Sequence, residues 1–184
     1  MHYLIVPGID DSDGDHWQSH WQNGWGAAAS RITPASWSAP DLDDWIKAVD
    51  RAVLGSGSRQ TVVVAHSLGC LAVTEWLTRQ RADRPGIVGM FLVAPPDSTG
   101  PNFPTAAKGF APTATGPLGL PGLVVSSEND PYCEPSTATA LATAWGLDHL
   151  SAGRLGHINS ASNLAHWRYG RDLLTAFAAG LGRA

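Results

Sequence analysis

The stretch TVVVAHSLGC, residues 61–70, decides the fold that the rest of the chain must fit. Its β-branched first half predicts a buried strand, and the residues from Leu68 onward predict a helix. Ser67 stands between them, with the small residues Ala65 and Gly69 two positions away on either side. A sharp strand-to-helix turn can present a serine hydroxyl only if the residues at these two positions are small. We therefore interpret Ser67 as a candidate nucleophile, with alanine where the commonest form of the motif has glycine.

Strand-like and helix-like stretches alternate along the rest of the sequence. Strands are predicted at residues 3–6, 29–33, 61–65, 87–93, 123–127 and 148–150, and helices at 16–25, 42–53, 68–80, 135–145 and 164–177. Asp15 and Asp41 are the predicted N-caps of the first two helices. The alternation predicts one α/β domain over residues 1–184, with a mostly parallel, doubly wound sheet of about six strands and helices on both faces. Residues 97–116 lack periodicity and predict an irregular surface segment.

The composition narrows the possible classes of function. The 184 residues carry a formal net charge of -4, only 15% of them are charged, and no Lys/Arg cluster is present. These values argue against electrostatic binding to nucleic acid or to an anionic membrane, so we expect a small-molecule partner. No signal peptide is evident and no apolar run approaches the roughly 20 residues of a membrane span, so we expect a cytoplasmic protein. We expect both cysteines to be reduced.

Two more residues join Ser67 at the ends of predicted strands. Asp130 follows the strand at 123–127, and His157 follows the last strand. Parallel strands bring their carboxyl ends to one edge of a sheet, and Ser, Asp, His is the chain order of the α/β-hydrolase triad. A serine hydroxyl needs an imidazole to accept its proton and a carboxylate to orient that imidazole. The sequence thus predicts Ser67, Asp130 and His157 as a triad, with Asp97 as the alternative acid.

The same chemistry needs backbone N–H groups that stabilise the oxyanion formed on attack. The amide of Leu68 is one predicted donor, because this residue follows the nucleophile and begins its helix. The amide of Ile9 is the other, because it follows the first strand and Gly8 lets the chain pass close to the substrate.

Five motifs give the chain a family resemblance. They are LIVPG at residues 4–8, DHWQ at 15–18, AHSLGC at 65–70, SSxxDP at 126–131 and GHIN at 156–159. Through them the chain resembles the bacterial branch of the retinoblastoma-binding-protein-9-like serine hydrolases, in the α/β-hydrolase superfamily. The resemblance implies a compact hydrolase core without a lid domain, with Ser67, Asp130 and His157 as the triad. The mammalian member contacts retinoblastoma protein through a Leu-x-Cys-x-Glu motif, which neither Cys70 nor Cys133 matches, so that partner is not expected.

Four further residues are predicted to line the substrate site, namely Gly8, His16, Trp17 and His66. The DHWQ motif supports His16 and Trp17 through the resemblance. His66 precedes the nucleophile and points elsewhere in such a turn, so we interpret it as a packing or hydrogen-bonding residue rather than the base. Specificity is expected to depend on segment 97–116, on the loop after Gly8 and on the helix of His16 and Trp17.

Three hypotheses for the function stay open on the sequence alone. The first is a cofactor-independent serine hydrolase that cleaves small esters through an acyl-enzyme, with thioesters and amides as further substrates. The second is a protein-interaction module on a hydrolase fold with vestigial catalysis. The third is a metal-dependent hydrolase that uses His16 and His20, which have i, i+4 spacing but no evident third ligand. The complete set of catalytic residue types favours the first hypothesis.

Overall fold

In the computed structural model, six strands form one parallel sheet within the residues that the structure describes, 1–79 and 86–181. In chain order they are β1 (His2–Val6), β2 (Ala29–Arg31), β3 (Thr61–His66), β4 (Ile87–Val93), β5 (Gly122–Ser126) and β6 (Asp148–Ser151). The order across the sheet is β2-β1-β3-β4-β5-β6, and every neighbouring pair is parallel. β2 lies on one side of β1, and β3 and all later strands lie on the other side, so the strand order reverses between β1 and β3. Ligands of such sheets bind beyond the carboxyl ends of the strands at that point.

The helices connect these strands and cover both faces of the sheet. Within the described residues they are α1 (Trp17–Trp25), α2 (Leu42–Ser56), α3 (Leu68–Arg79), α4 (Pro135–Trp145) and α5 (Arg168–Leu181). Asp41 caps α2 as predicted, since its side chain accepts a hydrogen bond from the Asp44 amide. The parallel sheet with helices on both faces confirms the predicted doubly wound α/β architecture. Gln80, the predicted end of α3, lies outside the described residues.

Each face of the sheet buries its own hydrophobic cluster, because successive strand side chains point to opposite sides. Leu4 and Val6 of β1 belong to the cluster covered by α2, α3 and α4, which we call the α2 face. Ile5 belongs to the cluster covered by α1 and α5, which we call the α1 face. All three side chains are fully buried, so β1 is shielded from water on both sides.

Two helices begin later than predicted. The N-cap of α1 is His16 rather than Asp15, and its Nδ1 accepts a hydrogen bond from the Gln18 amide at 3.2 Å. α5 begins at Arg168 rather than Leu164, because the chain before it turns through left-handed conformations, with φ of 52° at Asn163, 47° at Ala165 and 35° at Trp167. A helix cannot pass through such residues.

Segment 97–116 contains no helix or strand, and it is attached to the α2 face. A single parallel bridge pairs Asp41 with Lys108. Phe110 is 2% exposed and its ring meets that of Trp45 edge to face, with 5.6 Å between centroids. The prediction of an irregular segment is therefore confirmed, but the segment is not wholly superficial.

Two expectations from the composition can be compared with the structure. Cys70 and Cys133 are both buried and free of a disulfide. Burial raises the pKa of the Cys133 thiol to about 12, so this group stays protonated at neutral pH. Within the described residues, no helix is long and apolar enough to cross a membrane.

Candidate active site

The turn from β3 to α3 places the Ser67 hydroxyl at the carboxyl edge of the sheet. Ser67 adopts a left-handed conformation, with φ of 52°, and its amide donates a hydrogen bond to the Val93 carbonyl at 2.9 Å. A Cβ atom at Gly69 would overlap the main-chain carbonyls of Val6 and Pro7, so only glycine fits there. Position 65 is less demanding, because the methyl group of its alanine packs into the core of the α2 face.

The three predicted triad residues meet in one hydrogen-bonded chain. His157 Nε2 lies 2.7 Å from Ser67 Oγ, and His157 Nδ1 lies 2.9 Å from both carboxylate oxygens of Asp130. The side chains of His157 and Asp130 are only 9% and 2% exposed, which strengthens this interaction relative to water. The alternative acid, Asp97, accepts its side-chain hydrogen bonds from Thr99 instead.

The loops that carry Asp130 and His157 are joined by two residues that the sequence reasoning missed. Ser127 Oγ accepts a hydrogen bond from the Leu155 amide at 2.9 Å. Asn129 Oδ1 accepts one from the Gly156 amide at 2.9 Å and another from Ser127 Oγ at 3.1 Å. The signal in the sequence is the run SSEND, residues 126–130, because short polar side chains before a turn often bind nearby backbone groups.

The loop after β1 carries the second predicted oxyanion donor. Leu68 is the first residue of α3, so its amide has no acceptor inside that helix. Within the described residues, the amide of Ile9 has no protein acceptor either. The residues that follow it are held in place, since the Asp10 amide donates to the Trp37 carbonyl at 3.0 Å and Asp11 forms an ion pair with Arg31 at 2.6 Å. Both predicted donors are therefore available to a ligand.

A cavity of about 310 Å³ opens beside the Ser67 hydroxyl. Its lining includes Gly8, Ile9, His16, His66, Ser67, Leu68, Pro96, Pro104, Tyr132 and His157, together with the carboxylates Asp10, Asp11 and Asp13. A Cβ atom at Gly8 would lie 2.8 Å from Ser67 Cβ, which explains the need for glycine at this position.

One predicted lining residue lies elsewhere. Trp17 is 1% exposed and does not line the cavity, so the prediction for this residue is wrong. Its ring packs in the core of the α1 face, and its indole N–H donates to the Ile158 carbonyl at 2.8 Å. The DHWQ motif therefore places Trp17 in the core next to the site and not in the cavity lining.

Comparison with known proteins gives the family. A model described as serine hydrolase matches residues 3–176. The chain belongs to this serine hydrolase family. None of the curated proteins matches it.

Solved structures of other proteins share the fold of this serine hydrolase. A protein named as a YdeN-like hydrolase from Pectobacterium atrosepticum is 32% identical, with a TM-score of 0.83 over 98% of this chain and 91% of that one. The ydeN gene product of Bacillus subtilis is 20% identical, with a TM-score of 0.79 over 97% and 98% of the two chains. Est1E from Butyrivibrio proteoclasticus, solved with ferulic acid, is 13% identical, with a TM-score of 0.69 over 96% and 89%.

Two buried histidines of the serine hydrolase border the cavity without contacting the Ser67 hydroxyl. Burial lowers the pKa of His16 to about 4 and holds the pKa of His66 well below its ordinary value, so both are neutral at pH 7. His66 Nε2 lies 2.9 Å from the His157 carbonyl, which can only accept, so this nitrogen carries the proton of the neutral ring. His157 is thus the imidazole that contacts Ser67.

The histidine pair considered for a metal is split between two environments. The ring of His16 lies 4.8 Å from that of His66, whereas the ring of His20 lies 4.4 Å from that of His166. Across residues 1–79 and 86–181, no three His, Cys, Asp or Glu side chains are grouped as metal ligands.

Proposed function

We propose that this protein is a serine esterase that hydrolyses small esters through an acyl-enzyme. The proposal is carried by the continuous chain from the Ser67 hydroxyl through His157 to Asp130, with hydrogen-bond distances of 2.7 Å and 2.9 Å. Family membership supports hydrolysis in general, and the triad chemistry narrows it to acyl transfer. The five motifs of the sequence support placement in the retinoblastoma-binding-protein-9-like branch, and we include this placement in the proposal.

Acylation begins when Ser67 Oγ attacks the ester carbonyl carbon and His157 Nε2 accepts the hydroxyl proton. The carbonyl oxygen becomes an oxyanion that accepts hydrogen bonds from the amides of Leu68 and Ile9, each worth about 3 kcal/mol in comparable sites. Asp130 orients the ring of His157 and stabilises the imidazolium. The bond between the carbonyl carbon and the alcohol oxygen then breaks, and the alcohol leaves with the proton from His157.

Deacylation repeats these steps with water as the nucleophile. His157 accepts a proton from the water as its oxygen attacks the acyl carbon. When the intermediate collapses, the bond to Ser67 Oγ breaks and this oxygen takes the proton back from His157. The carboxylic acid is released, and the reaction consumes only the ester and one water molecule.

The cavity supports a small substrate without a negative charge. A volume of about 310 Å³ lies at the lower end of the range of roughly 300–1,000 Å³ for ligand pockets, which favours short acyl groups. Asp10, Asp11 and Asp13 line the cavity and no described Lys or Arg does so. This arrangement disfavours esters that carry a negative charge.

The proposal is tested with a fluorophosphonate probe and a panel of aryl esters of increasing acyl length. We expect the wild type to be labelled and to prefer short acyl chains. We expect Ser67→Ala to abolish labelling and to lower kcat roughly 10⁴- to 10⁶-fold, because it removes the nucleophile. Circular dichroism of the variant controls for folding.

Two outcomes would contradict this assignment. Persistent labelling of Ser67→Ala would mean that another residue is the nucleophile. A wild type that neither reacts with the probe nor hydrolyses any ester would instead support the interaction module with vestigial catalysis.

A further inference from the structure

Two buried aromatic N–H groups bind consecutive carbonyls of the loop that carries His157. His66 Nε2–H donates to the carbonyl of His157 itself at 2.9 Å. Trp17 Nε1–H donates to the carbonyl of the next residue, Ile158, at 2.8 Å. The two donors come from different elements, since His66 ends β3 and Trp17 begins α1. The backbone of His157 is therefore fixed from two sides.

This loop needs external contacts because its own conformation is unfavourable. Ile158 has φ of 50°, a left-handed value that is a genuine outlier for a β-branched residue. Such a conformation persists only where the surrounding structure determines it. Ile158 is fully buried in the core of the α1 face, and its carbonyl has Trp17 as its donor. Packing and hydrogen bonding thus act on the same residue.

The donors themselves are rigid. Trp17 is 1% exposed, and its ring meets those of Trp21 and Trp167 at centroid distances of 4.5 Å and 5.2 Å. His66 is 4% exposed, and its ring lies between those of His16 and His157, at 4.8 Å and 5.0 Å. Neither donor can leave its carbonyl without disturbing a packed aromatic group.

We propose that Trp17 and His66 are positioning residues, which hold the His157 backbone where Nε2 reaches the Ser67 hydroxyl. This inference rests on the proposed function for its catalytic readout. Neither residue exchanges a proton or contacts the reacting atoms in this role. A displacement of about 1 Å in a catalytic group can lower the rate roughly 100-fold, so loss of either hydrogen bond should act on kcat.

The α1 face offers a matched control for Trp17. Trp21, one turn later in α1, is 2% exposed and donates its indole N–H to the His166 carbonyl at 2.7 Å. Trp17→Phe and Trp21→Phe each remove one buried indole N–H while keeping an aromatic ring, so we expect similar decreases in Tm. Only Trp17→Phe should lower kcat, by about 10- to 100-fold, with KM changed less than 3-fold.

His66 permits a conservative rescue. The amide nitrogen of glutamine at position 66 can occupy the place of the imidazole Nε2 and donate to the His157 carbonyl, whereas leucine cannot. We therefore expect His66→Leu to lower kcat about 10- to 100-fold and His66→Gln to recover most of it. A merely structural role would make both variants equally slow.

An NMR readout separates this inference from the proposed function. The Nδ1 proton of His157, held by Asp130, should give a downfield resonance that survives in Trp21→Phe and is shifted or lost in Trp17→Phe and His66→Leu. Equal kcat values and equal resonances in the two tryptophan variants would overturn the inference. If the wild type is inactive, the proposed function fails, and the resonance alone still decides whether Trp17 and His66 position His157.

Discussion

Buried tryptophans pack on both faces of the sheet, and the acceptors of their indole N–H groups differ between the two faces. On the α2 face these groups donate to acceptors in the surrounding scaffold, namely Trp45 to the Ser36 carbonyl, Trp76 to the Asp50 carboxylate and Trp145 to the Ala114 carbonyl, at 3.1, 3.2 and 2.9 Å. On the α1 face Trp17 and Trp21 donate to carbonyls of residues 158 and 166, within the segment that leads from His157 to α5.

This difference in acceptors indicates that the two faces have different roles. The α2 face supplies buried area and carries the helix that follows Ser67. The α1 face supplies buried area and also directs hydrogen-bond donors at the segment that begins with His157. A mutation on the α2 face should therefore change stability alone, whereas one on the α1 face that disturbs Trp17 should change stability and turnover together.

Removal of one tryptophan from each face should lower stability in both cases but lower kcat in only one. Trp76 and Trp167 are 1% and 4% exposed, so alanine at either position should lower the free energy of unfolding by about 3–5 kcal/mol. Trp167→Ala should also lower kcat, because the Trp167 ring supports Trp17 at a centroid distance of 5.2 Å. Urea unfolding and ester turnover per folded molecule measure the two effects. An equal kcat in both variants would contradict the division between the faces.

The elements of the α2 face and the hydrogen-bonded chain of Ser67, His157 and Asp130 were predictable from the sequence, because they depend on local patterns. A β-branched run predicted β3 and an apolar run predicted β4 closely, and the capping residue Asp41 marked the start of α2. The proximity of these three residues followed from their positions at strand ends, since parallel strands must bring those ends to one edge. These inferences need only the position of each residue in or after its strand, and not the direction in which a loop side chain points.

The connections of the α1 face were not accessible in the same way. Leu164 and Trp167 have helical spacing, yet they precede α5 in a turn. This turn buries Trp167 in the core of the α1 face and packs the partly buried Leu164 against it. The links made by Ser127 and Asn129, and the donor role of Trp17, depend on where loop carbonyls and amides point. Loop direction is set by tertiary packing, so residue spacing alone does not reveal it.

The cap of α1 makes the stability of the α1 face sensitive to acid. α1 is capped by His16, whose pKa burial lowers from 6.5 to about 4. The unfolded chain then binds a proton at position 16 between these values, so stability present above pH 6.5 is lost as the pH falls toward 4. At pH 5 the loss from this residue is about 2 kcal/mol.

His16→Asn isolates this contribution, because the asparagine Oδ1 can replace Nδ1 as the acceptor for the Gln18 amide. We expect the variant to lose about 2 kcal/mol less stability than the wild type between pH 7.5 and pH 5, measured by urea unfolding at both values. The pH 7.5 measurement corrects for any change in packing. Parallel losses in the two proteins would show that His16 does not set the acid response of α1.

The smallest expected effect comes from two helix glycines, one on each face. Gly24 in α1 and Gly55 in α2 each stand one residue before the end of their helix, and a Cβ atom at either would meet nothing within 4 Å. Alanine at each position should raise the free energy of unfolding by about 0.5–1 kcal/mol, because it reduces the freedom of the unfolded chain. Neither glycine touches a donor to the His157 loop, so kcat should stay unchanged in both variants. A lower kcat in Gly24→Ala alone would mean that α1 must flex during turnover, and the faces would then differ in mobility rather than in fixed donors.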